Sequence, residues 1–270
     1  MSMLYGSDAF SPAQIAEKVQ SVGVAKARLR LIPMAMLGVL AGGFIGLGAL
    51  YYVLVISDPA LGFAARRVLG GISFSLGLIL VVVAGAELFT GNNLLVMAWA
   101  DRRITTPELL RNWSIVFIAN AVGAFGLALV VYLSRHGQMN GGAVALQYVA
   151  LASAKTSMPF SEAFFNGVLC NILVCLAVWL AMAGRSVADK VLAIVFPISA
   201  FVAAGFEHSV ANMYLIPLGI LLSDGAAAGA PNWSGFVSNL IPVTFGNIAG
   251  GSVMVALVYY MIYRRGAASG

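Results

Sequence analysis

The chain has 270 residues, of which 61% are hydrophobic and 9% charged, with a mean hydropathy of +0.94. Soluble domains carry roughly 25% charged residues, so the composition excludes a water-soluble globular fold and indicates an all-α polytopic membrane protein. The formal net charge of +5 calls for no nucleic acid, because basic loops facing anionic membrane lipids account for it.

Residues 1–30 are polar and mixed, without the apolar core of a signal peptide. Within them SPAQIAEKVQSVGVAKARLR (11–30) predicts a helix. Ser11 can cap it, Pro12 suits its first position, and Ile15, Val19 and Val22 share a face. Such a helix is expected along the membrane or against a neighbouring subunit. Charge-free runs then cover 31–57, 112–134, 163–184 and a stretch within 225–263, each able to supply the roughly 20 apolar residues of a crossing helix. Residues 68–100 and 191–223 differ. Each run is 33 residues long and carries one acidic residue, Glu87 or Glu207. That is too long for one upright span and too short for two, so each reads as a helix, an irregular break and a half-helix.

Six spans result, over 31–263, between an N-terminal helix (1–30) and a tail (264–270). Eleven Lys and Arg fall in loops on the side of both termini and four on the other, Arg66, Arg67, Arg135 and Lys155. The positive-inside rule therefore expects cytoplasmic termini. Cys170 and Cys175 sit together in an apolar tract without metal-ligand spacing, and read as small buried hydrophobes.

The two halves resemble each other. AGAELFTGN (84–92) aligns with AGFEHSVAN (204–212), GVLAG (38–42) with GVLCN (167–171), and Asn120 and Gly123 with Asn247 and Gly250. The repeats run over about 31–134 and 160–263. With three spans each, the second must be inverted, and inverted repeats with a broken helix in each half characterise transporters and channels. Glu87 and Glu207 occupy equivalent breaks, where a carboxylate can accept hydrogen bonds from freed backbone N–H groups and brace the loop; Gly91 and Asn92 belong to the same support. His208 stands opposite Leu88, so the repeat loses its symmetry at the one ring that exchanges protons near neutral pH.

GAELFTGN, AKTSMPF, CNILVCLAVW, GFEHSVANM and NLIPVTFGNIAGG resemble the formate/nitrite transporter family over roughly residues 25 to 263, and GRSVADK and NLIPVTFGN are most similar to its formate-channel branch. The resemblance implies a homopentamer of aquaporin-like protomers in the bacterial inner membrane, each with its own pore. It also implies that His208 is the central pore histidine and that Thr90 lies in the mobile loop of the first break. Lys155, Asn171, Glu207, Asn212 and Asn247 then surround the histidine, and Phe74, Leu78, Leu88 and Phe201 form apolar constrictions on either side.

A small anion meets a large desolvation cost in such a constriction and the neutral acid a much smaller one. Half-helix N-termini and Lys155 can attract the anion, and a proton from His208 would let it cross as the acid. The expected function is a formate channel or transporter linked to protons. Nitrite or hydrosulfide passage and passive anion conduction are the alternatives. An aquaglyceroporin-like pore lacks support, because LFTGN and HSVAN replace its Asn-Pro-Ala pair. An enzyme with a metal on Glu87, Glu207 and His208 would need further ligands near the breaks, and the other histidine, His136, lies in a loop. No cofactor or metal is expected.

Overall fold

The computed structural model describes residues 9–225 and 229–265. Residues 1–8 of the expected N-terminal segment and 266–270 of the expected tail lie outside them. The described residues are helical without a strand, and six of their helices are long and apolar enough to cross a membrane.

Helix α1 (Pro12–Ala27) begins as its sequence dictates. Ser11 accepts from the backbone N–H of Gln14 while the Gln14 side chain accepts from that of Ser11, a closed capping box. Its buried positions are Ile15, Ala16, Val19, Gln20, Gly23 and Ala27, with Val22 only half-buried. Within the chain the helix packs on the ends of the spans through its buried face. Its apolar face joins Leu94, Leu95, Met97 and Trp179 in one cluster. Phe10 N–H donates to the Ala183 carbonyl at 3.0 Å, and Arg111 donates to the carbonyls of Ala27 and Leu29.

The spans follow: α2 (Leu31–Ile56), α3 (Phe63–Ile79), α5 (Thr106–Leu133), α7 (Phe160–Ala183), α8 (Val187–Ala204) and α10 (Trp233–Ile248), which continues through widened turns to Arg265. The second and fifth spans are broken. After α3 and a π turn (Leu80–Gly85), the chain is irregular over 86–90, then turns through Gly91–Leu95 into the short α4 (Val96–Ala100). α8 (Val187–Ala204) is capped by Gly205, residues 206–208 have no regular structure, and α9 (Ser209–Leu222) resumes. Gly85 (φ +88°) and Gly205 (φ +83°) are the equivalent residues that leave each half-helix through the left-handed region, which glycine enters at no steric cost. The sequence places the breaks near 86–92 and 206–212; the irregular stretches are shorter because helical turns restart at Gly91 and Ser209. One further helix, α6 (Ala143–Thr156), precedes the second repeat as α1 precedes the first.

The repeats pack alike. α2 lies between α5 and α3, its counterpart α7 lies between α10 and α8, and α3 meets α8 across the two halves. Contact is close because small residues face backbone. A Cβ on Gly123 would overlap the Val39 carbonyl, and one on the equivalent Gly250 would overlap that of Val168. Ile118, Leu133, Phe160 and Phe196 remain exposed on the outer faces, as spans bordered by hydrocarbon require. Gly123→Ala is expected to lower the midpoint of thermal unfolding in detergent by the equivalent of about 2 kcal/mol, through overpacking. Gly126→Ala should leave it unchanged, because no atom lies within 4 Å of a Cβ there.

Candidate pore and its two broken helices

A helix interrupted inside a membrane strands backbone groups that have no water to turn to. Two asparagines answer for them. The Asn120 Nδ2 donates to the carbonyls of Gly38 (2.7 Å) and Glu87 (2.9 Å), and its Oδ1 accepts from Phe89 N–H (2.9 Å). The Asn247 Nδ2 donates to the carbonyls of Gly167 (2.8 Å) and Glu207 (3.0 Å), and its Oδ1 accepts from Ser209 N–H (2.9 Å). Every partner of one is the repeat counterpart of a partner of the other. Glu87 N–H and Glu207 N–H complete each clamp by donating to the carbonyls of Leu37 and Asn166.

The glutamate side chains have a different task from the one their sequence context suggests. Among the described residues neither carboxylate accepts a backbone N–H; each joins a lysine–asparagine cluster. Glu87 pairs with Lys26 at 2.9 Å and accepts from Asn92 at 2.7 Å. Asn92 also donates to Asn112 Oδ1, and Asn112 donates to the Lys26 carbonyl. Glu207 pairs with Lys155 at 2.5 Å and accepts from Asn212 at 2.7 Å and Asn239 at 3.3 Å. Asn212 donates to Asn239 Oδ1, and Asn239 donates to the Lys155 carbonyl. With the backbone groups met by the clamps, each carboxylate is left for a lysine and for an asparagine on the far side of its break. The Lys155–Glu207 side chains are 13% and 3% exposed against 26% and 6% for Lys26–Glu87, so the second pair is the drier.

Sequence reasoning missed Lys26, Asn112 and Asn239. A signal existed: the spacing that carries Asn120 to Asn247 carries Asn112 to Asn239, and the spacing that carries Gly38 to Gly167 carries Lys26 to Lys155.

His208 is buried at the second break and caps α9. Its Nδ1 accepts from the Ala211 N–H at 3.1 Å. A backbone N–H can only donate, so the ring proton sits on Nε2, which lies 2.9 Å from the Thr90 hydroxyl of the first break. Among the described residues one side-chain hydrogen bond thus joins the two breaks. Thr90 is fixed from behind: its carbonyl accepts from Asn171 Nδ2 at 3.2 Å and from Cys175 Sγ at 3.4 Å, and Asn171 also donates to the Asn247 carbonyl at 2.7 Å. Cys175 thus does more than fill space.

Two cavities approach this contact. One, of about 480 Å³, lies beneath α1, with Lys18, Lys26, Lys190, Leu78, Leu88 and Gly91 in its wall. The other, of about 180 Å³, is walled by Arg67, Lys155, Phe74, Phe201 and His208 among others. All four apolar candidates are buried, Leu78 and Leu88 facing the first cavity and Phe74 and Phe201 the second. Phe74 and Phe201 meet edge to face at 5.6 Å, and Phe201 stacks on His208 at 6.0 Å. Lys18 and Lys190 leave the wall of the first cavity with an excess of positive charge over Glu87. Desolvation, with the neighbouring charges of Lys190 and then Arg185, holds the Lys18 ammonium below the ordinary lysine value.

Six spans in two inverted halves, whose broken helices meet between two cavities, define a pore-forming transport protein of the membrane. Residues 13–261 match the sequence model of the formate/nitrite transporter family. The chain is 41% identical over 273 residues to the formate channel FocA of Escherichia coli (strain K12), covering 96% of each. It is 38% identical over 276 residues to a probable formate transporter of Methanothermobacter thermautotrophicus, covering 96% of this chain and 98% of that protein. A solved pentameric formate channel with formate bound superposes with a TM-score of 0.80 at 38% identity, over 86% of this chain and 97% of that one. A solved FNT family ion channel gives 0.82 at 31% identity, over 92% and 98%. The chain belongs to the formate/nitrite transporter family, whose members named here are channels and transporters rather than enzymes.

The ion pair at the second break gives a test of the site's construction. Lys155→Met strands a buried carboxylate and is expected to destabilise by about 3 kcal/mol. Lys155→Met combined with Glu207→Gln should lose less than the single change. Thermal unfolding of the two single variants and the double variant in detergent reads the coupling.

Proposed function

We propose that this chain conducts formate across the bacterial inner membrane, as a homopentamer with a separate pore in each protomer. Formate is the substrate in the printed names of relatives aligned over nearly the whole chain, and one structural relative is a pentamer. The channel domain spans 31–263, and the excess of Lys and Arg on the side of α1 and of Arg264 puts both termini in the cytoplasm, facing anionic lipid headgroups. Native mass spectrometry in mild detergent should return five chains.

One observation carries the mechanism: the buried histidine shares a cavity wall with Phe74 and Phe201 and touches Thr90 of the other break, whose Leu88 faces the other cavity together with Leu78. Formate that reaches the histidine as an anion has to cross apolar surface, which the neutral acid does at far lower cost. His208 in its doubly protonated form donates the Nε2 proton to a carboxylate oxygen, in the place the Thr90 hydroxyl occupies at rest. Formic acid and neutral imidazole result. The acid crosses and releases its proton in the far cavity. The resting hydrogen bonds belong to the neutral ring protonated at Nε2, so entry into the cycle requires Nδ1 to let go of the Ala211 N–H and take up a proton. After each donation the ring keeps that Nδ1 proton and Nε2 is reloaded from water in the cavity. Asn171, Cys175 and Asn247 keep Thr90 and the break in place meanwhile.

The same Ala211 bond favours a second reading, in which the ring never becomes doubly protonated and His208 only offers one N–H to a passing anion. Nitrite and hydrosulfide, as small anions of weak acids, fit either route. His208→Asn separates the readings, because asparagine also caps helices and donates a hydrogen bond but cannot carry a proton. Proton-linked formate uptake in proteoliposomes, followed with internal pH, is expected to fall about a hundredfold and to lose its pH dependence. A variant that moves formate at the original rate with the same proton stoichiometry overturns the relay and leaves the donor reading.

A further inference from the structure

The two lysines nearest the breaks are poor candidates for drawing an anion in from a distance. Lys26 and Lys155 each hold a glutamate within ion-pair reach, so at the range where an approaching anion first senses the mouth each pair is close to neutral. On the α1 side, Lys18 and Lys190 line the same cavity as Lys26 and form no ion pair among the described residues. The opposite cavity has two cationic side chains in its wall, Lys155 and Arg67. With Lys155 balanced by Glu207, the net charge of that mouth is that of Arg67, which likewise has no ion pair among the described residues.

Arg67 is held in place by its surroundings. It sits in the first turns of α3, half-buried, with its guanidinium 5.5 Å over the Phe63 ring. It also lies against Gly205, where a Cβ would come to 3.4 Å from one guanidinium nitrogen. Gly205 is the residue at which α8 breaks, three positions before His208. The same cavity wall thus runs from Arg67, past the break, to the histidine.

We propose that Arg67 is the anion-capture residue of this mouth, a first binding step for the carboxylate before the Phe74–Phe201 neck. Its planar fork of N–H donors matches the two oxygens of a carboxylate, a fit that an ammonium does not offer. It raises the local concentration of anion and does not touch the species that crosses the neck. Its loss therefore raises the concentration needed for half-maximal flux and leaves maximal flux alone. The inference rests on the formate-channel reading above, and a wild-type protein that passes no formate would defeat that reading and not this one.

The test uses proteoliposomes of the full chain and formate as the probe. Arg67→Gln is expected to raise the half-saturating formate concentration about fivefold at low salt, on the order of one partly screened unit charge a few ångströms from the anion. The effect should shrink at 0.5 M salt of an impermeant anion, and Arg67→Lys should fall between the two. Because inserted channels face both ways, Arg67→Cys adds a sided reading. Membrane-impermeant methanethiosulfonate reagents reach only outward-facing mouths; a cationic one should restore low half-saturation and an anionic one worsen it. Native Cys170 and Cys175 are fully buried, and wild-type protein treated in parallel controls for them. Unchanged half-saturation in Arg67→Gln, or equal effects of the two reagents on Arg67→Cys, overturns the proposal. A loss of maximal flux with unchanged half-saturation also overturns it and makes Arg67 a support for the α8 break.

Discussion

Everything at the centre of this protein depends on two backbone interruptions being made tolerable where water is scarce. An unpaired carbonyl or N–H costs several kcal/mol in such surroundings, and each break exposes several. One asparagine per half, reaching in from the last span of its repeat, satisfies two carbonyls and one N–H at once. The amide side chain suits this because it offers two donors and an acceptor in fixed geometry. With the backbone satisfied from the side, the glutamate at each break can turn to a lysine, and the next residue can be chosen for the path. In one half that residue is leucine and in the other histidine.

The order of these effects explains why a near-symmetric frame carries an asymmetric centre. The clamp, the carboxylate and its amide partners recur in both halves with matching contacts. His208 and Thr90 are the departure from symmetry, and they touch each other across the interface between the halves. Their positions are set by different elements. His208 is placed by capping α9, and Thr90 by two donors on α7, Asn171 and Cys175, spaced one helical turn apart. The contact is thus an outcome of how α3, α7 and α8 pack, and is not built into either loop alone.

Much of this was legible in the sequence. A glutamate in each long apolar run located the breaks, because an ionisable group there stands out against a background nearly free of charge. The matched spacing of AGAELFTGN and AGFEHSVAN gave the inversion and put His208 opposite Leu88. Less visible was the partner of each charge, which only the repeat spacing marks. Lys26 is one basic residue among several near the N-terminus and reads as an orientation signal; only folding brings it to Glu87. Lys155 came to notice by family resemblance and not by its spacing from Glu207. The break lengths were overread for a local reason: Gly91 and Ser209 restart helical turns at once, and nothing in LFTGN or HSVAN marks where extended chain gives way to a turn. Arg66 and Arg67 look interchangeable as a sequence pair, yet only Arg67 lines the cavity.

The lysines of the two ion pairs come from unequal homes. Lys155 belongs to α6, which is joined to the chain at both ends between two spans and packs against α9. Lys26 belongs to α1, which precedes every span and is attached covalently at its C-terminal end to the rest of the fold. Both halves therefore bury a carboxylate on the strength of a borrowed cation, but one cation sits between two spans and the other on an arm that precedes every span. An insult that peels away the arm, such as proteolysis near residue 29, would leave a lone negative charge at one break while the other kept its counterion. The molecule is symmetric in its architecture and asymmetric in how it can be damaged.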